Sequence, residues 1–173
     1  NEDPDKAKRK PIANLYRLAP NLSLTQLLSN ITVSNGIAFS ENENIMYFAD
    51  TPTGRIQKFE YTKNFNKFYE LEANMIFKNV GEPDGATVDI DNNYWSARVR
   101  GKCIICIDTK DEKIIEKISL PTNTPTCVTF GGANLNSLYI TSLRADPTSD
   151  NEGGNLHKIE TSTQGRAQLL TDI

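Results

Sequence analysis

Short runs rich in Val, Ile, Phe, Tyr and Thr recur along this chain, alternating with polar residues and bounded by Gly, Asn, Asp and Pro, with hardly any helical period. The pattern predicts an all-β fold. The runs also repeat. SNGIAFS (34–40), PDGATVD (83–89) and PTCVTFG (125–131) stack with an apolar residue three places after the start, at Ile37, Ala86 and Val128. Another stands two places further on, at Phe39, Val88 and Phe130. A second strand follows each: IMYFAD (45–50), NYWSAR (93–98) and SLYITS (137–142). Third strands are read at GRIQKFE (54–60), CIICID (103–108) and GNLHKIE (154–160), and ANLYRLA (13–19) looks like the third strand of an earlier unit. The spacing is 49 residues from Asn35 to Asp84 and 42 from Asp84 to Thr126. Units of about 40 to 50 residues holding three or four strands are the signature of β-propeller blades. In such a fold the first strand of each blade lines the central channel, and a glycine beside a short polar group suits the channel mouth. Ile37 and Phe39 are then expected on one face, packing between blades, with Ala38 on the other. Tyr47 and Trp95, on second strands, are expected to fill the space between blades.

Length limits the ring. At ~45 residues per blade, 173 residues supply three to four blades. Residues 1–12 read as a charged, mobile N-terminal segment and residues 13–173 as a partial propeller. Net charge is -3 and the pI near 5.3, and the one basic run, Lys6, Lys8, Arg9 and Lys10, follows Glu2, Asp3 and Asp5. That balance argues against a nucleic-acid footprint, which needs undiluted Lys and Arg. No stretch approaches the ~18 apolar residues of a membrane span, and the charged N-terminus does not read as a secretory signal. Three cysteines, an odd number, point to reduced thiols and a cytoplasmic location. The sequons at Asn21 and Asn30 point the other way, but an Asn-rich chain produces such triplets by chance.

The candidate chemistry sits in the repeat. Asn35 and Asp84 hold the same place in consecutive units, so the rotation between blades would aim both side-chain oxygens at the axis. Amide and carboxylate oxygens without His or Cys suit a hard divalent cation, Ca²⁺ first, with Mg²⁺ or Mn²⁺ as alternatives. Asn-Gly and Asp-Gly are also strong turn dipeptides, and spacing alone leaves that reading open. The matching residue of the third unit is Thr126, a poor cation ligand. Asp50 is a further acid near a strand end. The Cys103 to Cys106 spacing is that of a zinc or redox pair, but on a strand those positions face opposite ways. Cys127 reads as a small buried hydrophobe, His157 as structural or exposed, and the pairs Gly131-Gly132 and Gly153-Gly154 as turns between strands.

Taken together, MYFADTPTGRI, GEPDGATVD, NYWSA with the Gly-containing turn after it, and PTCVTFGGANLNSLYITS resemble the SMP-30/gluconolactonase/luciferin-regenerating (regucalcin-like) family. The resemblance runs in order from about residue 14 to residue 157. It implies a six-bladed propeller with one divalent metal ion at the channel mouth, Ca²⁺ first and Zn²⁺, Mn²⁺ or Mg²⁺ as alternatives. The implied function is metal-dependent hydrolysis of small-molecule sugar lactones or related esters. By motif, the family's metal-binding asparagine carries over to Asn35, and its metal-binding aspartate, also the catalytic base, to Asp84. The third ligand, a glutamate of the first blade, and the sugar-contacting Arg and Asn have no counterpart; Glu2 aligns too loosely to join the site. This chain is therefore expected to be a C-terminal portion, whose ring closes through missing N-terminal blades or self-association. The competing expectations are a non-catalytic calcium-binding propeller and a structural fragment without metal.

Overall fold

The structure is a computed structural model describing residues 8–40, 44–62, 65, 67–144 and 148–167. Most of the charged N-terminal segment, including Glu2 and Lys6, lies outside the described residues. The described chain forms four antiparallel sheets. The first holds β1 (Ala13–Leu18) and β2 (Leu24–Ile31). The second holds β3 (Ser34–Ser40), β4 (Ile45–Asp50), β5 (Arg55–Tyr61) and β6 (Phe68–Ile76). The third holds β7 (Glu82–Val88), β8 (Tyr94–Val99), β9 (Cys103–Asp108) and β10 (Lys113–Ser119). The fourth holds β11 (Pro125–Gly131), β12 (Ser137–Ser142) and β13 (Leu156–Glu160). Strands pair in chain order within each sheet, and the innermost strands β3, β7 and β11 contact one another in turn. These are propeller blades, two complete and two partial.

Three apolar clusters fill the spaces between blades. Met46, Phe48 and Phe59 join Leu15 and Leu28 between the first two sheets. Tyr47, Ala49, Ile56, Tyr94 and Ile105 lie between the second and third. Trp95, Ile104, Val128, Phe130 and Leu138 lie between the third and fourth. Period-2 alternation produces this sorting, because successive residues of β4, β8 and β9 serve opposite faces and both faces are covered. Tyr47 and Trp95 fill inter-blade space as expected: the Tyr47 and Tyr94 rings stand 5.2 Å apart, and Trp95 meets Phe130 edge-on at 5.5 Å. Cys103 and Cys106 fall in different clusters, back to back on β9, which removes them as a metal or redox pair.

The face of Ile37 and Phe39 departs from its expected burial. Ile37 is 46% and Phe39 40% exposed, whereas Val88 and Phe130, at the same place as Phe39 in later blades, are 4% and 8% exposed. On that side stands the first sheet, to which the described residues contribute two strands, β1 and β2. Among the described residues, no further strand of that sheet covers Ile37 and Phe39.

After β13 the chain returns to the lower end of the third sheet. The Ile90 amide donates to the Gln164 carbonyl at 3.1 Å, Asp89 bridges to Gly165, and Arg166 Nη2 donates to Asn92 Oδ1 at 2.8 Å. A side chain at Gly165 would stand 2.1 Å from Phe130 Cβ, so this strap lies directly on the cluster between the third and fourth sheets.

Candidate functional site

Each innermost strand carries a register irregularity at its upper end: between Asn35 and Ala38 in β3, between Pro83 and Ala86 in β7, and between Pro125 and Cys127 in β11. A bulge inserts an extra residue, leaves it unpaired and re-aims its side chain. The irregularities fall at Gly36-Ile37, directly after the pair Asn35–Ala49, at Asp84-Gly85, and at Thr126, directly before the pair Cys127–Thr141, so all three lie at or beside the residues stacked by the sequence repeat. Gly36 has φ +61°, and a Cβ there would lie 2.4 Å from Tyr94 Oη and 3.3 Å from the Asp84 carbonyl oxygen. Tyr94 Oη donates to the Gly36 carbonyl at 2.6 Å. Glycine is required here by both the left-handed backbone and the close approach of the next blade.

The side chains are tied across blades. Asn35 Nδ2 donates to Thr51 Oγ1 at 2.7 Å, and Thr51 donates to the Pro83 carbonyl at 2.9 Å. With its nitrogen committed, the Asn35 amide offers Oδ1 as its cation donor. Asp84 follows Pro83 directly, on the adjacent inner strand and at the same end of the channel.

The segments leading into the inner strands are pinned by residues at the ends of second strands or in later loops. Asp50 accepts from the Val33 amide at 2.7 Å and the Thr32 amide at 3.0 Å, so it holds the lead-in to β3 rather than a ligand. Arg98, the corresponding residue of β8, donates from Nη2 to the Gly81 carbonyl at 2.7 Å. Burial lowers the Arg98 pKa to about 10. Asp150 accepts from Thr122 Oγ1 at 2.9 Å and the Asn123 amide at 2.7 Å, holding the lead-in to β11. A carboxylate, a guanidinium and a second carboxylate thus do one job in three blades.

Cys127 corrects the expectation of a buried hydrophobe. Its side chain is exposed and takes the place that Gly36 and Gly85 hold in the other inner strands. A Cβ on Gly85 would lie 2.6 Å from its Sγ. Partial burial, together with the Asp84 charge, holds the thiol above its ordinary range. Thr126 turns its hydroxyl to Thr141 Oγ1 at 2.9 Å. His157 lies on β13 opposite Ile140, away from the inner strands. Gly132 and Gly154 both have positive φ outside the strands, in keeping with turns.

Two cavities meet along the inner strands. The upper, about 250 Å³, is lined by Ser34, Asn35, Leu15, Phe48 and Gly85 among others. The lower, about 660 Å³, is lined by Phe39, Tyr61, Phe65, Val88 and Arg166 among others. Among the described residues no group of three or more His, Cys, Asp or Glu could hold a metal ion. Asn35 and Asp84 fit a hard divalent cation in kind, being amide and carboxylate oxygens, but not in number, since Ca²⁺ takes about six to eight.

Comparison with known proteins agrees with this architecture. Residues 1–144 match the SMP-30/Gluconolactonase/LRE-like region. The chain is 33% identical over 125 residues to a 6-deoxy-6-sulfogluconolactonase of Pseudomonas putida, covering 72% of this chain and 43% of that protein. It is 27% identical over 169 residues to a pentonolactonase of Haloferax volcanii, covering 92% and 58%. Its structure superposes on a calcium-binding protein, regucalcin, from Agrobacterium tumefaciens with TM-score 0.83 at 25% identity, over 98% of this chain and 59% of that one. The chain spans about half the length of the curated relatives it matches. By sequence and by fold, the chain belongs to the SMP-30/gluconolactonase/LRE-like family.

Proposed function

We propose that this chain forms part of a metal-dependent hydrolase of sugar lactones or related esters, with Asn35 and Asp84 as metal ligands and Asp84 as the base. The observation that carries this reading is the shared place of the two residues, each directly before a glycine and at or beside a register irregularity, at one end of adjacent inner strands. The relatives named as lactonases support the reaction class. A divalent cation held there, Ca²⁺ first, would polarise the lactone carbonyl and stabilise the oxyanion. Asn35 presents Oδ1 because Thr51 holds its nitrogen. Asp84 orients a water towards the carbonyl carbon and accepts its proton; the new C–O bond forms as the ring ester bond breaks, and the proton passes to the departing ring oxygen. The remaining ligands and channel wall come from blades outside this chain or from a second copy.

The test is hydrolysis of glucono-δ-lactone with Ca²⁺, Mn²⁺ or Zn²⁺ added and EDTA as control. Turnover that needs metal and disappears in Asp84→Asn, with circular dichroism unchanged, is expected; full activity in Asp84→Asn would overturn the assignment. A second reading, calcium binding without catalysis, is supported by the calcium-binding structural relative. Calorimetric Ca²⁺ binding lost in Asp84→Asn, with no turnover of any lactone, would select it.

A further inference from the structure

Thr51 follows β4 directly and opens a one-turn 3-10 helix, Thr51–Thr53, packed against β7 between the second and third sheets. Both of these sheets have four strands, so the geometry around Thr51 owes nothing to what covers the first sheet. Thr51 is 6% exposed. Its backbone is fixed from two sides: the amide donates to the Val33 carbonyl at 3.1 Å, and the carbonyl accepts from the Gly54 amide at 3.1 Å. The preceding residue, Asp50, holds the amides of Thr32 and Val33. The hydroxyl is thereby delivered to a fixed point between β3 and β7.

A threonine hydroxyl has one proton. The Pro83 carbonyl, 2.9 Å away, can only accept, so the proton goes there. What the oxygen turns to Asn35, at 2.7 Å, is then a lone pair, and only the NH2 end of the amide can meet it. A reversed amide would set two acceptors against each other. Pro83 thus fixes the direction of both hydrogen bonds, and its carbonyl belongs to the peptide bond that leads into Asp84.

We propose that Thr51 is a positioning residue: its hydroxyl locks the Asn35 amide with Oδ1 turned outward and ties Asn35 to the backbone of Asp84, pre-forming the pair of cation donors. This rests on the metal-site reading for the ligand alone; the lock itself holds with or without a cation. It also has a chemical consequence. Asn35-Gly36 is the one Asn-Gly pair in the sequence. Such a pair is open to deamidation: the Gly36 amide nitrogen attacks Asn35 Cγ, its proton leaves with Nδ2 as ammonia, and water opens the succinimide to aspartate or isoaspartate. With Nδ2 held by Thr51, and the Gly36 carbonyl held by Tyr94 Oη at 2.6 Å, Cγ is kept from swinging onto that nitrogen.

Two measurements on the full chain test this. The first follows conversion at Asn35 by peptide mass spectrometry, at mildly alkaline pH and without metal. Thr51→Val keeps the shape and removes the hydroxyl; it is expected to convert about fivefold to tenfold faster than wild type, the worth of one lost hydrogen bond. Thr51→Ser is expected to match wild type. Thr51→Ala takes the place of Thr51→Val if circular dichroism shows that variant unfolded. Equal rates with and without the hydroxyl overturn the inference, and so does equal acceleration at the other asparagines, which would make the loss one of fold. The second is calorimetric Ca²⁺ binding, expected to weaken by a similar factor in Thr51→Val and to be kept in Thr51→Ser. Unchanged Ca²⁺ affinity in Thr51→Val overturns the positioning role. If the wild-type chain binds no Ca²⁺, the metal reading falls and the deamidation rates alone decide the lock.

Discussion

Gly36 is where backbone and packing demands can be separated experimentally. Its φ is +61° and a Cβ would strike Tyr94 Oη; Gly54 has φ +69° but nothing within 4 Å of its Cβ position. Placing an L-residue in the left-handed region costs about 1 to 2 kcal/mol, so Gly54→Ala should lose about that much stability. Gly36→Ala should lose more, about 2 to 4 kcal/mol, because Tyr94 must also give up its hydrogen bond or move. Urea denaturation of the two variants checks this. Equal losses would mean that Tyr94 yields freely and that the Asn35 bulge is softer than its geometry implies.

Among the elements, the β7–β8 hairpin is organised by one buried carboxylate. Asp89 Oδ1 accepts from the Asp91 and Asn93 amides, both at 2.9 Å, and Oδ2 from Trp95 Nε1 at 2.9 Å. Asp89→Ala should cost about 3 kcal/mol or more, since it strands a buried indole N–H and two turn amides; Asp89→Asn, which keeps one acceptor, should cost less. Thermal unfolding gives the comparison. The hairpin also shows what could be read from the sequence. Inner and second strands alternate strongly, because both faces are covered, and their turns are marked by Gly, Asn and Asp. The outermost strands β2, β6 and β10 carry too weak an alternation to be read individually from the sequence. FYELEANMI and KIIEKIS lie at the rim, where little burial imposes alternation. Asn35 and Asp84 stood out because each precedes a glycine at the same place in its repeat. Cys127 did not, because PTCVTFG reads as plain alternation and the bulge between Pro125 and Cys127 shifts its phase. Register irregularities leave no residue signature of their own when glycine is missing.

For the whole molecule, the uncovered face of the second blade decides behaviour in solution. Ile37 and Phe39 stand exposed where later blades bury Val88 and Phe130. The isolated chain should therefore self-associate, and Phe39→Asp should return it towards monomer in sedimentation velocity runs at rising concentration. A wild-type chain that stays monomeric throughout would show that the patch is tolerated by water. The strap that follows β13 has the opposite effect, joining rather than exposing. Through Gln164, Gly165 and Arg166 it fastens the fourth sheet to the β7–β8 turn, so these two sheets cannot part without breaking bonds remote in sequence from β11. In a solenoid-like array, neighbouring repeats would open one at a time. Here the amide protons of β7–β9 and β11–β12 should exchange with deuterium as one cooperative unit, while those of β1 and β2 exchange sooner and independently.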